Sequence, residues 1–336
     1  MDKEQAKPLY TAVRARFLAF EREHGGWVRT QNVRMHYLQW KNPGGVPLIW
    51  AHGSFSSAYE IATFADKLVQ AGYRPIAIDY YGHGRTPIPK HEVSIYHVAD
   101  DIAALMDALD IETAVVGGWS RGGAVAASFY HSYPRRTRGL MLVDGGSFSF
   151  GKINDTTADP EEKTKAEAGT AIFTRSWPTE FDAFYELTGG DPAPDVTNPT
   201  YGFDALGNLS QGDDKQWMVC RGLFPWLIGD MSTFMANNIH KPSRTPFFHW
   251  SMVAMIPKVI FRNLEVPILI VDPVSPHDEY PATDQNRELL RMFPKLVTHQ
   301  IYEDTSHAAP WERPTWFVRD ATAFLEKVKK HRRRGS

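Results

Sequence analysis

Cysteine is nearly absent: Cys220 is the only one in 336 residues. No intrachain disulfide can form, and no thiolate cluster can hold a metal. A charge excess of either sign is missing too, since 37 Lys and Arg against 39 Asp and Glu leave a formal charge of −2. Such a balance provides no chain-wide field for nucleic acid or an anionic membrane. No run reaches the ~18 consecutive apolar residues of a membrane span. The opening MDKEQAKPLY is polar where a leader peptide would be apolar. Internal repeats and low-complexity tracts are lacking as well. The expectation drawn from this is a cytoplasmic protein, monomer or homodimer, whose partner is a small molecule and not nucleic acid. The tail KKHRRRGS reads as a solvated basic end.

What is present is a large apolar inventory, 43% hydrophobic with 12% aromatic, ample for a sizeable core. The first 25 residues place apolar side chains at helical spacing and stop at glycine, which predicts an N-terminal helical extension over 1–25. NVRMHYLQW alternates as a half-exposed strand does. VPLIWAHG, YRPIAID, TAVVGGW and RGLMLVDGG are short continuous apolar runs of the kind buried on both faces. Helical patterns over 57–71, 91–109 and 121–132 separate them, so the expected fold is α/β, with a mostly parallel central sheet flanked by helices. The rhythm breaks after about residue 147 and resumes at EVPILIVD, ATDQNRELLRMF, VTHQIYED and a last helix over 314–330. The expected division is a core of 26–147 and 258–336 with an inserted, mainly helical cap domain over 148–257. An insert at the carboxyl edge of the strands would lie over the ligand site.

One stretch carries chemistry most directly. GGWSRGG sets Gly118-Trp119-Ser120-Arg121-Gly122 between a buried run and a helical pattern. This is a GxSxG spacing, in which a tight strand-to-helix turn exposes the serine hydroxyl at a helix N-terminus. Ser120 could simply cap the helix, but its context favours a nucleophile. A serine needs a base, and among 13 histidines His307, in a loop after the last strand, is best placed. His52, His83, His240, His249 and His277 are weaker candidates. The orienting acid is expected after the penultimate strand, in the order serine, acid, histidine. Asp278 is favoured there over Asp272, with Glu279 and Asp144 behind. For the oxyanion, the backbone N–H groups of Arg121 and Ser54 are the expected donors, Phe55 being the neighbour that could replace Ser54.

AHGSFSS, DYYGHGRT, GGWSRGG, the acid loop after VPILIVD and SHAAPWERP follow one another as in α/β-hydrolase fold enzymes with a cap domain. The resemblance covers nearly all of the chain outside the insert and the N-terminal helix. It implies that Ser120, His307 and an acid form a triad that uses no cofactor and no metal. Serine in place of aspartate at the turn argues against haloalkane dehalogenases and epoxide hydrolases. DPVSPHDEYP departs from the resemblance by lacking the usual glycine and single aspartate, so the acid stays open between its candidates.

The insert is rich in Trp177, Trp217, Trp226, Trp250, Phe224, Phe234, Phe247, Phe248, Met231 and Met235. Most of these would form its core, while some would line a cleft for an apolar or aromatic substrate. Phe55, Trp119 and Trp226 are the expected substrate contacts, although a residue at the place of Trp119 more often packs beneath the turn than touches substrate. The expected activity is hydrolysis of a carboxylic ester or lactone. Carbon-carbon bond or amide hydrolysis, cofactor-free lyase chemistry and a non-catalytic receptor are the alternatives.

Overall fold

Short apolar runs with β-branched residues favour strands that can be covered on both faces. In the computed structural model, which describes residues 1–151, 171–189, 200–229, 245–276 and 281–335, they form β1 (Gly25–Arg29), β2 (Arg34–Gln39), β3 (Val46–Ala51), β4 (Tyr73–Ile78), β5 (Ala114–Trp119) and β6 (Thr137–Val143). A short pair follows, β7 (Leu209–Gln211) and β8 (Trp217–Val219), and then β9 (Ile268–Val274) and β10 (Val297–Glu303). Eight of them make one sheet in the order β1-β2-β4-β3-β5-β6-β9-β10. β1 and β2 are antiparallel, and every pairing from β4 to β10 is parallel. Leu48, Ile49, Trp50 and Ala51 of β3 are fully buried, as a central strand requires.

The α-helices placed among the described residues are α1 (Lys3–His24), α2 (Ala62–Gln70), α3 (Ile95–Ala108), α4 (Arg121–Ser132), α5 (Glu180–Leu187), α6 (Phe203–Asn208), α7 (Leu223–Leu227), α8 (Phe247–Val253), α9 (Pro257–Ile260), α10 (Thr283–Met292), α11 (Ala309–Glu312) and α12 (Pro314–Gly335). α3 packs on α4, which lies across β3, β5 and β6. Trp50 projects between Phe64 of α2 and Phe317 of α12. The described part of the chain between β6 and β9 is mainly helical but also holds the antiparallel β7-β8 ribbon, extended by a bridge between Trp177 and Trp217.

α1 braces two parts of the molecule. Its start is capped by Asp2, which accepts from the Gln5 amide at 2.9 Å. Phe17 is buried between Tyr59 of the core and Phe203 of α6, with ring centroids at 4.8 and 5.6 Å. Tyr10 donates to Glu180 of α5 at 2.7 Å. At its far end Glu21 meets the buried His36 at 3.0 Å, and the other ring nitrogen of His36 meets Asp79 at 2.6 Å. Burial pulls the His36 pKa down, but the two carboxylates outweigh it and hold the imidazole at about 9. Asp79 also accepts from the amides of Ala58 and Arg85, so the same cluster ties down the turns after β3 and β4.

Candidate active site

The turn from β5 into α4 is as tight as its glycines suggested. Ser120 stands at φ 54°, ψ −121°, a strained conformation that bulky neighbours would make harder to hold. A Cβ at Gly118 or Gly122 would overlap the Ala51 carbonyl, so β3 and α4 can approach only because both positions are glycine. The Ser120 amide donates to Val143 O at 2.8 Å, which locks the turn onto the end of β6.

His307 follows β10 in a loop held at several points. Trp119 donates from its indole to His307 O at 2.6 Å. Glu312 accepts from the Ser306 amide at 3.0 Å and bonds the Ser306 hydroxyl as well. His307 Nδ1 lies 2.5 Å from Asp144 Oδ2, a carboxylate that is 1% exposed. Asp144 follows the last residue of β6 with φ 43°, and its own amide donates to Val271 O of β9 at 3.0 Å. Ser120 and His307 line one cavity of ≈ 250 Å³, together with Ser54, Phe55, Trp119, Arg121, Phe150, Ile228, His249 and Met252. The Arg121 guanidinium, 2% exposed, donates through Nε to Ser54 Oγ at 2.8 Å and through Nη2 to His249 Nδ1 at 2.9 Å.

Two histidines near this site have no titrating role at ordinary pH. Burial brings His52 down to about 4, and it pushes His83 well below the usual imidazole range. His52 stacks on Tyr80 at 4.1 Å and bonds Gly53 O at 2.7 Å. Glu60 accepts from Trp50 Nε1 at 2.7 Å and from the Gly53 amide at 3.2 Å. Burial pushes this carboxyl up to about 8, against those hydrogen bonds. Its place is beneath the loop that carries Ser54.

With this geometry in view, a family model for the alpha/beta hydrolase fold matches residues 46–314. The chain belongs to the α/β-hydrolase fold family. The non-heme chloroperoxidase of Streptomyces lividans is 28% identical over 319 residues, spanning 90% of this chain and 99% of that protein. A 2-hydroxy-6-oxononadienedioate/2-hydroxy-6-oxononatrienedioate hydrolase of Paraburkholderia xenovorans is 34% identical over 119 residues, 34% of this chain and 41% of that protein. Among solved structures, E-2-(acetamidomethylene)succinate hydrolase superposes with a TM-score of 0.65 at 17% identity, over 90% of this chain and 98% of its own. A marine microorganism esterase superposes at 0.61 with 18% identity, over 88% and 100%. At such identities the structures speak for the fold. Taken together, the relatives support a hydrolase.

In this α/β-hydrolase the expected site residues are distributed unevenly. Ser120, His307, Ser54, Arg121, Phe55 and Trp119 all reach the cavity. Trp119 lines the cavity, and its ring lies tilted against that of His307 with centroids 4.8 Å apart. Trp226 does not line the cavity; it sits in α7 and packs its ring against Tyr81 and Phe248. Asp278 lies outside the described residues, as do Glu279, Phe234, Met231 and Met235. The carboxylate found against His307 is Asp144, the last of the four acids considered. Asp272 is engaged elsewhere, 2.6 Å from His299 on the neighbouring strand β10. The missed lining residues Phe150, Ile228, His249 and Met252 carry no local pattern. Asp144 did carry one, an acid at the end of a buried run followed by two glycines.

Proposed function

We propose that this protein is a serine hydrolase that cleaves a carboxylic ester or lactone bearing a compact apolar or aromatic group. Ser120 is the nucleophile, His307 the base, and Asp144 the carboxylate that orients the base. The observation carrying this reading is that one cavity is lined by a serine at a strained elbow and by a histidine whose Nδ1 already rests on a buried carboxylate. With Nδ1 so engaged, Nε2 takes the Ser120 proton as Oγ attacks the carbonyl carbon. The oxyanion of the tetrahedral intermediate is received by the backbone N–H groups of Ser54 and Arg121. The intermediate collapses, the C–O bond breaks, and His307 returns the proton to the leaving alkoxide. Water, deprotonated by His307, then releases the acid and restores Ser120.

Residues 148–257 act in this reading as a cap, since Phe150, Ile228, His249 and Met252 all come from them. The apolar lining favours an apolar acyl or alkoxy group. A volume of ≈ 250 Å³, below the roughly 300–1,000 Å³ of ordinary ligand pockets, favours a compact one. p-Nitrophenyl esters of graded length test this, with kcat/KM expected to be highest for short or aryl acyl groups and to fall at least tenfold for a dodecanoyl ester. Turnover should vanish in Ser120→Ala. Wild-type protein that binds such compounds without turning them over would instead be a receptor.

The chloroperoxidase relative favours a second reading of the same residues. Hydrogen peroxide would replace water in the second step and release a peracid, which could oxidise chloride. Peroxide-dependent chlorination in acetate buffer, lost in Ser120→Ala, would support it.

A further inference from the structure

The turn that carries Ser54 has one long backbone bond of its own, Ser56 N–H to Gly53 O at 3.4 Å, and draws further support from outside. Phe55 is at φ 59°, a left-handed conformation that is strained for a bulky side chain and persists only where surrounding contacts impose it. Three consecutive residues of this turn are gripped from outside. The Gly53 amide donates to Glu60, the Ser54 hydroxyl accepts from Arg121, and the Phe55 ring packs on Phe173 at 4.4 Å. Only the middle grip comes from the residue next to the nucleophile. Arg121 thus fixes the relation between its own amide and that of Ser54, the two donors assigned to the oxyanion.

The same guanidinium reaches α8. A guanidinium can only donate, so His249 Nδ1 accepts and the imidazole is neutral with its proton on Nε2. Burial, aided by the Arg121 charge, pushes the His249 pKa well below its ordinary value, in agreement with that state. α8 has a separate anchor, since Ser251 Oγ accepts from the Ile95 amide at 2.9 Å at the start of α3. The Arg121 guanidinium also lies 5.8 Å from the Phe248 ring of α8.

We propose that Arg121 is a positioning residue: its side chain, bridging Ser54 of the oxyanion turn and His249 of α8, sets the place of the Ser54 amide and makes it depend on the seating of α8. This rests on the reading of Ser54 and Arg121 as oxyanion donors. Binding would then be little affected while transition-state stabilisation suffers, because a donor displaced by a fraction of an ångström loses most where charge develops.

Hydrogen-deuterium exchange of the intact protein, read by mass spectrometry over the peptide containing residues 53–56, tests the bridge without reference to any substrate. Arg121→Met and His249→Leu should speed exchange there about tenfold, and His249→Asn, which keeps an acceptor, should restore most of the protection. Should Arg121→Met disturb folding, Ser54→Ala removes only the accepting hydroxyl and Ser54→Thr returns it. On a p-nitrophenyl ester, Ser54→Ala should lower kcat about tenfold or more with KM within about threefold, and Ser54→Thr should rescue it. Adding Ser54→Ala to Arg121→Met should cost nothing further. Unchanged exchange in both Arg121→Met and Ser54→Ala would overturn the bridge even with wild-type turnover intact. Faster exchange with wild-type kcat would overturn its link to catalysis. Failure of wild-type protein to react at Ser120 would instead strike the triad reading itself.

Discussion

The acid partner of His307 is where the residue scale decides most. Asp144 is 1% exposed and 2.5 Å from Nδ1, so Asp144→Asn should leave the fold intact but favour the wrong imidazole tautomer, lowering kcat about 10⁴-fold. Asp278→Asn should leave kcat within about threefold. Steady-state kinetics on any ester the wild type accepts separates the two. Asp272→Asn should cost about 1–3 kcal/mol in denaturant unfolding through its bond to His299, with little change in kcat. That Ser120 and His307 would meet at one cavity was legible because each stands in a local pattern: a glycine-flanked turn for one, a loop at a strand end for the other. The acid needs only to reach Nδ1, and two neighbouring strands, β6 and β9, can each present one at the same sheet edge. Spacing along the chain does not distinguish them. His249 was weighed only as a weaker base, and its contact with Arg121 was not legible for a similar reason, since the two are 128 positions apart.

At the level of elements, α1 was legible from its period, while its function as a brace was not. Phe17 sits between the core and α6, and Phe17→Ala should lose about 3–5 kcal/mol in urea unfolding. β1 escaped the sequence reading because GGWVR opens with two glycines, the usual sign of a helix stop and a loop. In the fold Gly26 lets β1 pass the Tyr37 ring, which leaves no room for a Cβ there, and Gly25 passes Glu21 as closely. The buried His36 gives this region a pH signature. Its pKa is raised from 6.5 to about 9, so its contribution is fully present below pH 6.5 and is lost as pH rises through 9. That displacement corresponds to about 3 kcal/mol. Thermal melts of wild type and His36→Gln between pH 6 and 10 should therefore converge as pH rises, whereas a constant gap would refute the assignment.

For the whole molecule, alternation of apolar runs with helical patterns was enough to foresee a parallel sheet with helices on its faces, because both faces of each central strand must be covered. Strand order and the antiparallel ribbon in the insert depend on contacts between distant segments, and so needed the structure. Stability should also tilt toward mildly acidic pH as a global property. Glu60, with its carboxyl raised from 4.5 to about 8, favours the folded state fully below pH 4.5 and loses that contribution as pH rises through 8, the same direction as His36. Glu60→Gln keeps one acceptor oxygen, enough for the Trp50 indole, removes the ionisable proton, and should flatten the fall in melting temperature between pH 5 and 8.

The central claim is that Ser120, His307 and Asp144 act as one unit in the cavity beneath the insert. Its most direct measurement is the rate at which a fluorophosphonate labels the protein, with the modified residue located by mass spectrometry, in wild type, Asp144→Asn and Asp278→Asn. The account predicts a single adduct on Ser120, formed at least about 10³ times more slowly in Asp144→Asn and at the wild-type rate in Asp278→Asn. An adduct elsewhere, or Asp144→Asn labelling as fast as wild type, would contradict it.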